Sequence, residues 1–375
     1  MGSVGMVETL FDFLPEEQAK QYRAIKSNDW KWTMANDYPK EKNGLKVFSC
    51  FACGGGSTMG YKLAGCDVLG CCEIDPKMNQ VYVENHHPKY NFLMDIREFN
   101  KREDLPEKLY DLDILDGSPP CTTFSMAGER EDSWGKKKKF REGQAEQTLD
   151  DLSFVFIETV AKLMPKVVIM ENVEGLMLGE AWKYVQKIYK QLADIGYKCK
   201  HWLLKGEKMG VPQTRHRVFF VATRLDFDLE KIDMQFNYEP ITYGQIKEDY
   251  GHIVGRDTKT YFYASQANAK DKSLADTRIR LGEKGSAFQT YYIREEDVMP
   301  TLRSKPDIID LSNVGYISWQ TMRNSQTFPQ DYNFMPNTEG KVGYICGMSV
   351  PPLMVKRIVT RLIESGLFSQ KCARV

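Results

Sequence analysis

The sequence predicts an α/β fold in which a doubly wound parallel sheet is joined to a second, smaller domain. Between residues 45 and 222, short apolar runs alternate with stretches of helical periodicity, which is the pattern of such a sheet. Residues 225–298 lose this alternation and are rich in Tyr, Lys, Asp and Gln. The length of 375 residues also favours two domains over one compact module.

Runs of apolar, β-branched or aromatic residues, most of them flanked by Gly, Pro or Asp, predict the strands. These runs cover residues 46–51, 66–73, 112–115, 167–170 and 217–223. Apolar residues at helical spacing predict helices over residues 154–164 and 182–195. A further helix opens at Val350-Pro351-Pro352, and we expect its apolar face to pack on the first domain.

These elements divide the chain into three parts. We expect a first domain over residues 45–223, completed by residues 343–375, and a second domain over residues 224–342. Residues 1–44 form an N-terminal extension, in which an amphipathic helix precedes a linker that contains Trp and Tyr.

Charge and cysteine content restrict the function classes. The 51 basic and 51 acidic residues give a formal net charge of zero, so nucleic acid would have to bind through a local basic surface. The N-terminus lacks the pattern of a secretion signal, no apolar run is long enough to cross a membrane, and nine cysteines fit a reducing cytoplasm. Cys50 and Cys53 form a C-x-x-C pair without a second pair at zinc-like spacing, so no metal site is predicted.

A glycine-rich turn follows the first predicted strand. Its residues are Phe51, Ala52, Cys53, Gly54 and Gly55. Glycines allow the backbone to approach a ligand at the carboxyl end of the strand, although the spacing is neither a dinucleotide fingerprint nor a phosphate loop. Glu73 ends the second strand, where a carboxylate accepts hydrogen bonds from ribose, and Asp95 ends the next one. Together these residues predict a site for a nucleoside-bearing cofactor.

Reactive groups adjoin three other predicted strands. Cys121 ends a Ser-Pro-Pro-Cys run, whose prolines hold the backbone stiff and extended. Glu171 directly follows an apolar run, while Arg215 and Arg217 stand at the start of another. We expect these groups to converge on one edge of the sheet.

Such a group of side chains suits attack on an electron-poor heterocycle. A thiolate that adds to C6 of cytosine makes C5 enamine-like, and a proton donor near N3 stabilises the developing charge. Glu171 fits the donor role if burial favours its protonated form, and Arg217 is placed to hold the ring carbonyl.

The order of these motifs resembles that of the DNA (cytosine-5) methyltransferase family, from about Val47 to Leu362. The resemblance implies a Rossmann-like S-adenosylmethionine-dependent methyltransferase sheet with a smaller target-recognition domain. It also implies methyl transfer from S-adenosyl-L-methionine to C5 of a flipped-out cytosine, through a covalent adduct between Cys121 and C6. The catalytic positions that it implies are Cys121, Glu171, Arg215 and Arg217. The cofactor-binding positions that it implies are Phe51, Ala52, Gly54, Gly55, Glu73, Ile74, Asp95, Ile96, Pro120, Leu152 and Ser349.

The resemblance continues towards the C-terminus, with two departures. Residues 321–329 resemble the Arg-x-x-Gln-x-Phe-Pro segment that organises the small domain, and residues 347–351 resemble the final cofactor-side motif. The family usually has glycine where Cys53 stands and asparagine where Met348 stands. Met348 therefore removes a side-chain amide near the expected position of the cofactor's methionine part.

Two segments are candidates for contact with DNA. Residues 125–147 are polar, contain three glycines and carry a basic run over residues 136–141, so we expect them to meet phosphates while the base is flipped. Residues 225–298 correspond to the family's target-recognition region. Its candidates for reading guanine edges are Arg256, Arg278 and Arg280, and its candidates for phosphate contact are Lys259, Lys270 and Lys272.

The resemblance implies double-stranded DNA as the partner of a monomeric, cytoplasmic enzyme of bacterial or phage origin, without metal or membrane. It leaves open whether a cognate restriction endonuclease exists. The principal alternative is a transfer RNA cytosine-5 methyltransferase of the same fold, whose Cys-Phe-Thr tripeptide does not occur here. Two further alternatives are a non-catalytic relative, which would be expected to lack Cys121, Glu171 or Arg217, and a folate-dependent pyrimidine hydroxymethylase.

Overall fold

A computed structural model describes residues 24–120, 152–283 and 290–372 of the chain. The predicted N-terminal amphipathic helix, Cys121 and the polar loop over residues 125–147 lie outside the described residues.

The strands of the large central sheet are β1 (Lys46–Cys50), β2 (Asp67–Glu73), β3 (Tyr90–Leu93), β4 (Ile114–Gly117), β5 (Val167–Val173), β6 (Lys198–Lys205) and β8 (His216–Thr223). Their spatial order is β3-β2-β1-β4-β5-β8-β6. The first five strands in this order are parallel to one another, whereas β8 runs antiparallel to both β5 and β6. The short strand β7 (Gln213–Thr214) lies outside this sheet and pairs with β10 (Met299–Pro300).

The sheet corrects two features of the sequence prediction. It is mixed and not wholly parallel, since β8 is reversed. Strand β6 was not predicted, because its residues alternate Lys with apolar side chains and its position at the sheet edge leaves most of them partly exposed. The five strands that the sequence predicted are present, and their ends shift by up to three residues.

Helices cover both faces of the sheet. Those in the first part of the chain are α1 (Met34–Asp37), α2 (Gly56–Leu63), α3 (Pro76–His86), α4 (Ile96–Lys101), α5 (Leu152–Leu163) and α6 (Trp182–Asp194). On one face, Met59 and Tyr61 of α2 belong to the larger apolar core. On the other face, Phe156 of α5 and Ile188 of α6 belong to a second core. Helices on both faces are typical of a doubly wound domain.

The C-terminal part of the chain returns to the sheet. Helices α11 (Glu339–Met348) and α12 (Pro352–Glu364) follow one another, and α11 was not predicted. A side chain at Gly60 of α2 would lie 2.5 Å from Cβ of Val355, so α12 packs closely on α2. The predicted packing of the last helix on the first domain is confirmed.

The smaller sheet lies between these two parts of the chain. It contains β9 (Tyr291–Ile293), β11 (Ile308–Asp310) and β12 (Gly315–Tyr316). The helices of this part are α7 (Tyr243–Ile246), α8 (Lys259–Ser265), α9 (Leu274–Arg280) and α10 (Trp319–Ser325). Tyr263, Leu274 and Ile309 belong to a separate small core, whereas Phe227 and Ile241 belong to the larger core of the main sheet. The domain boundary at residue 224 stays a prediction.

Within the described ranges, no helix combines the length and the apolar character that crossing a membrane requires.

Candidate active site

Strand direction brings Glu171 and Arg217, two of the predicted reactive groups, to one edge of the sheet. The carboxyl ends of β1, β2, β4 and β5 meet at this edge, because these strands are parallel. Since β8 is antiparallel, it begins where β5 ends, and Arg217 pairs with Val173, two residues beyond Glu171. In a wholly parallel sheet Arg217 would lie at the opposite edge. The convergence expected from the sequence therefore depends on a reversal that the sequence did not show.

Glu171 and Arg217 form a buried ion pair. Nε of Arg217 lies 2.8 Å from Oε1 of Glu171, and the two side chains are 14% and 12% exposed. Nη1 of Arg217 also donates to the carbonyl oxygen of His216 at 2.7 Å. Burial lowers the pKa of the Arg217 guanidinium, and the charge of Glu171 opposes this effect. The pair thus places a carboxyl group and a cation side by side at the sheet edge.

Arg215, the second predicted arginine, contacts backbone. Its guanidinium donates to the carbonyl oxygens of Leu302 at 3.1 Å, Gly347 at 3.1 Å and Ser349 at 3.0 Å. Burial lowers its pKa to about 9. Arg215 therefore ties the start of β8 to the end of α11, and any direct role in chemistry stays a prediction.

A cleft with an empty volume of about 800 Å³ opens at the same edge. Seven predicted cofactor residues line it, namely Phe51, Glu73, Ile74, Asp95, Ile96, Pro120 and Leu152. Ala52, Gly54, Gly55 and Ser349 are not among the lining residues. Both departures from the family pattern, Cys53 and Met348, do line it. The lining also includes residues that were not predicted, namely Cys72, Asp75, Met78, Met94, Ser118 and Tyr344.

The glycines of the turn pack against protein on the side where a side chain would stand, and their contact with a cofactor stays a prediction. A Cβ at Gly55, where φ is +81°, would lie 2.1 Å from Nε2 of His86. A Cβ at Gly54 would lie 2.5 Å from a methyl group of Ile345. These glycines therefore allow neighbouring elements to approach the turn from behind, and the cleft side of the turn is formed by Phe51 and Cys53.

Glu73 holds the turn through backbone hydrogen bonds. Oε2 accepts from the backbone N–H of Cys53 at 2.8 Å, and Oε1 accepts from those of Ile74 and Asp75 at 2.9 Å each. Burial raises the pKa of this carboxyl, while the three N–H groups lower it. Glu73 thus lines the cleft and also fixes the backbone of the neighbouring turn.

The described lining of the cleft contains three carboxyl side chains and no Lys or Arg. They are Glu73, Asp75 and Asp95. Asp75 caps α3 and Asp95 caps α4 by accepting backbone N–H bonds. Apolar walls beside acidic groups suit a ligand that combines a flat ring with positive charge. The Glu-Ile-Asp pattern around Ile74 was the available signal for Asp75.

Two of the three predicted base-reading arginines, Arg278 and Arg280, have hydrogen-bond partners close to them in the chain. Arg280 donates to Asp271 at 2.8 Å and to the carbonyl oxygen of Gln266 at 2.5 Å. Arg278 donates to Glu283 at 3.2 Å. Both stand near the end of α9, and their roles in reading bases stay predictions.

Three of the four paired cysteines are buried within strands of the sheet. Cys50, Cys71 and Cys72 are buried in β1 and β2, in agreement with the prediction that they are packing residues. Within residues 24–120, 152–283 and 290–372, no group of three or more His, Cys, Asp or Glu residues is arranged to hold a metal ion.

Comparison with known proteins identifies relatives. The family model of C-5 cytosine-specific DNA methylase matches residues 45–364. The chain is 26% identical over 330 residues to the Type II methyltransferase M.HindV of Haemophilus influenzae, covering 85% of this chain and 97% of that protein. It is 25% identical to the Type II methyltransferase M.Bsp6I of a Bacillus strain, covering 86% and 100%. A crystal structure described as a DNA modification methyltransferase of an E. coli prophage has a TM-score of 0.57 and 20% identity, covering 86% and 99%.

Proposed function

The chain belongs to the C-5 cytosine-specific DNA methylase family, and from this membership we propose that it methylates C5 of a cytosine in duplex DNA. The methyl donor in this proposal is S-adenosyl-L-methionine, and the activity is that of a DNA (cytosine-5-)-methyltransferase. The observation that carries the proposal is the Glu171–Arg217 ion pair beside an acidic, apolar-walled cleft at one sheet edge. We call this pair the base site and the neighbouring opening the cofactor cleft.

The residues of the cofactor cleft fit the proposed methyl donor. In this proposal the cleft-lining Phe51, Ile96 and Leu152 pack against its adenine, and the carboxylate of Glu73 accepts hydrogen bonds from its ribose hydroxyls. The acidic lining suits its sulfonium and ammonium charges, which a basic lining would repel. When bound, this donor supplies an electrophilic methyl group.

The base site would stabilise the cytosine during attack. In our proposal the thiolate of Cys121 adds to C6, and Cys121 is the residue that follows the cleft-lining Pro120. Glu171 then hydrogen-bonds the N3 side of the ring, where charge develops, and Arg217 fixes the position of Glu171. After transfer, loss of the C5 proton and expulsion of the Cys121 thiolate restore the aromatic ring.

DNA is favoured over transfer RNA as the substrate. The family model that matches the chain is that of C-5 cytosine-specific DNA methylases. The relatives that the chain matches over nearly their whole length are named Type II methyltransferases. A cognate restriction endonuclease would be the matching partner in such a system. In this proposal the enzyme acts as a monomer in the cytoplasm of a bacterium or in a phage-infected cell.

The test is transfer of a labelled methyl group from S-adenosyl-L-methionine to three acceptors, namely duplex DNA, transfer RNA and free cytidine nucleotide. We expect label in duplex DNA alone, with bisulfite sequencing placing it on cytosines within one short sequence. Label in transfer RNA and none in DNA would replace the proposal with the RNA alternative.

A further inference from the structure

A buried carboxyl group lies on β4, two residues before Ser118 of the cofactor cleft. Asp116 stands on β4 with 3% exposure. Its Oδ2 accepts a hydrogen bond from Oγ of Ser49 at 2.6 Å, and its Oδ1 accepts one from the hydroxyl of Tyr61 at 3.0 Å. The proposed mechanism assigns no role to any of these three residues.

The strand register fixes the level of this carboxyl. Ser49 of β1 pairs with Asp116 of β4. Each of these residues stands two positions before a residue of the cleft that lies just beyond the strand end. Those cleft residues are Phe51 and Ser118. The Ser49–Asp116 hydrogen bond therefore joins the two strands close to the point where both enter the cleft.

Tyr61 adds a third element to this junction. It belongs to α2, the helix that begins at Gly56 directly after the glycine turn. Asp116 consequently connects the strand before the turn, the helix after the turn and the strand that leads to Pro119 and Pro120. No other carboxylate that the structure describes accepts hydroxyl hydrogen bonds from both β1 and α2.

Burying a carboxylate costs free energy unless hydrogen bonds offset the loss of water. The hydroxyl donors around Asp116 supply such hydrogen bonds. Burial raises the pKa of Asp116 to about 7, and hydrogen bonds from the hydroxyls of Ser49, Tyr61 and Ser57 lower it. The other ionisable groups that face Asp116 from the packed elements are Glu171 on β5, Cys50 on β1 and Tyr82 on α3.

We propose that Asp116 is a positioning residue that sets the spacing between the cofactor turn and the nucleophile strand, so that cofactor affinity depends on its hydroxyl bonds from Ser49 and Tyr61. This inference rests on the proposed function, because it assumes that S-adenosyl-L-methionine occupies the cleft. Asp116 acts through Phe51 and Ser118 and does not itself line the cleft.

The first experiment measures S-adenosyl-L-methionine binding by calorimetry in Tyr61→Phe and Ser49→Ala. Each change removes one hydroxyl donor from Asp116, and we expect the dissociation constant to rise about fivefold in each. The matched control is Tyr243→Phe, since the buried Tyr243 hydroxyl donates to the buried Asp310 at 2.8 Å in the small domain. That control should lose comparable stability and keep the wild-type dissociation constant.

The second experiment uses Asp116→Asn, which keeps the shape and cannot ionise. Only an ionised Asp116 accepts from both hydroxyls without reorienting them, so wild-type affinity should increase by about threefold from pH 6 to pH 8 relative to this variant. Groups common to both proteins, such as Glu73 and the cofactor ammonium, cancel in the comparison. A purely structural role would leave the two pH profiles parallel.

The outcomes separate the two proposals. Wild-type protein that fails to bind S-adenosyl-L-methionine would overturn the proposed function and this inference with it. Normal binding by wild type together with unchanged binding by Tyr61→Phe and Ser49→Ala, or with parallel pH profiles, would overturn the inference alone. Loss of binding in Tyr243→Phe as large as that in Tyr61→Phe would also overturn it, because the effect would then reflect stability.

Discussion

The base site and the cofactor cleft share one edge of the sheet but are held by different kinds of contact. In the base site, Glu171 and Arg217 neutralise each other through their side chains. In the cofactor cleft, Glu73 accepts backbone N–H bonds and Gly55 packs against His86. A side-chain pair can be altered without moving the backbone, whereas the turn beside the cleft is held by contacts of its own backbone. Substitutions in the base site should therefore change the rate of transfer, and those in the turn should change cofactor affinity and stability.

The largest effect should come from Cys121→Ser. Serine oxygen is a much poorer nucleophile than a thiolate, so methyl transfer should fall by more than roughly 10³-fold, while the cofactor dissociation constant stays within about twofold. Initial rates with labelled cofactor and calorimetry measure the two quantities. Duplex DNA with 5-fluorocytosine at the target should trap a covalent adduct with wild type only. A serine variant with substantial activity would remove the thiol from the mechanism.

Glu171→Gln should have the next largest effect. Loss of the ionisable group should lower kcat by about 10²–10³-fold with little change in cofactor affinity, because Glu171 contacts Arg217 and does not line the cleft. Stability should also fall, since a buried guanidinium loses its partner. The control is Asp29→Asn, which removes a carboxylate from the buried Arg357, 3.1 Å away on α12. If Asp29→Asn lowers kcat equally, the effect of Glu171 is one of stability and the comparison fails.

Gly55→Ala tests the backbone character of the cofactor cleft. The new methyl group would enter the ring of His86 and would also strain a residue with φ of +81°. We expect a loss of about 3 kcal/mol in the free energy of unfolding and about tenfold weaker cofactor binding. Gly44→Ala is the matched control, because Gly44 has the same φ and no atom within 4 Å of its added Cβ. It should lose only about 1 kcal/mol. Urea unfolding measures both losses. If Gly55→Ala and Gly44→Ala lost equal free energy of unfolding, the strain of a positive φ alone would explain the effect and the contact with His86 would not.

The difference between the two regions also explains what the sequence could predict. Apolar runs identified β1, β2, β4, β5 and β8, and the predicted meeting of Glu171 and Arg217 at one sheet edge is confirmed by their ion pair. Strand direction was not accessible, because it depends on how the chain crosses the sheet and not on the composition of each run. The contacts that require glycine in the turn could not be predicted from the sequence either. His86 stands 31 residues after Gly55, and nothing in the local pattern of either residue indicates that they meet.

The smallest effect is expected at Cys53, where the family usually has glycine. Cys53 has φ of +48°, which L side chains rarely adopt, so Cys53→Gly should raise the free energy of unfolding by up to about 1 kcal/mol. His87→Gly is the control, because His87 has φ of +47° at the end of α3 and does not line the cleft. The backbone N–H of Cys53 donates to Glu73 whichever side chain is present, so cofactor affinity should change by less than about threefold. A gain at His87 without a gain at Cys53 would mean that the thiol makes compensating contacts in the cleft. In that case side-chain packing, and not backbone contacts alone, would hold this wall of the cleft. The cofactor cleft and the base site would then both depend on side-chain contacts.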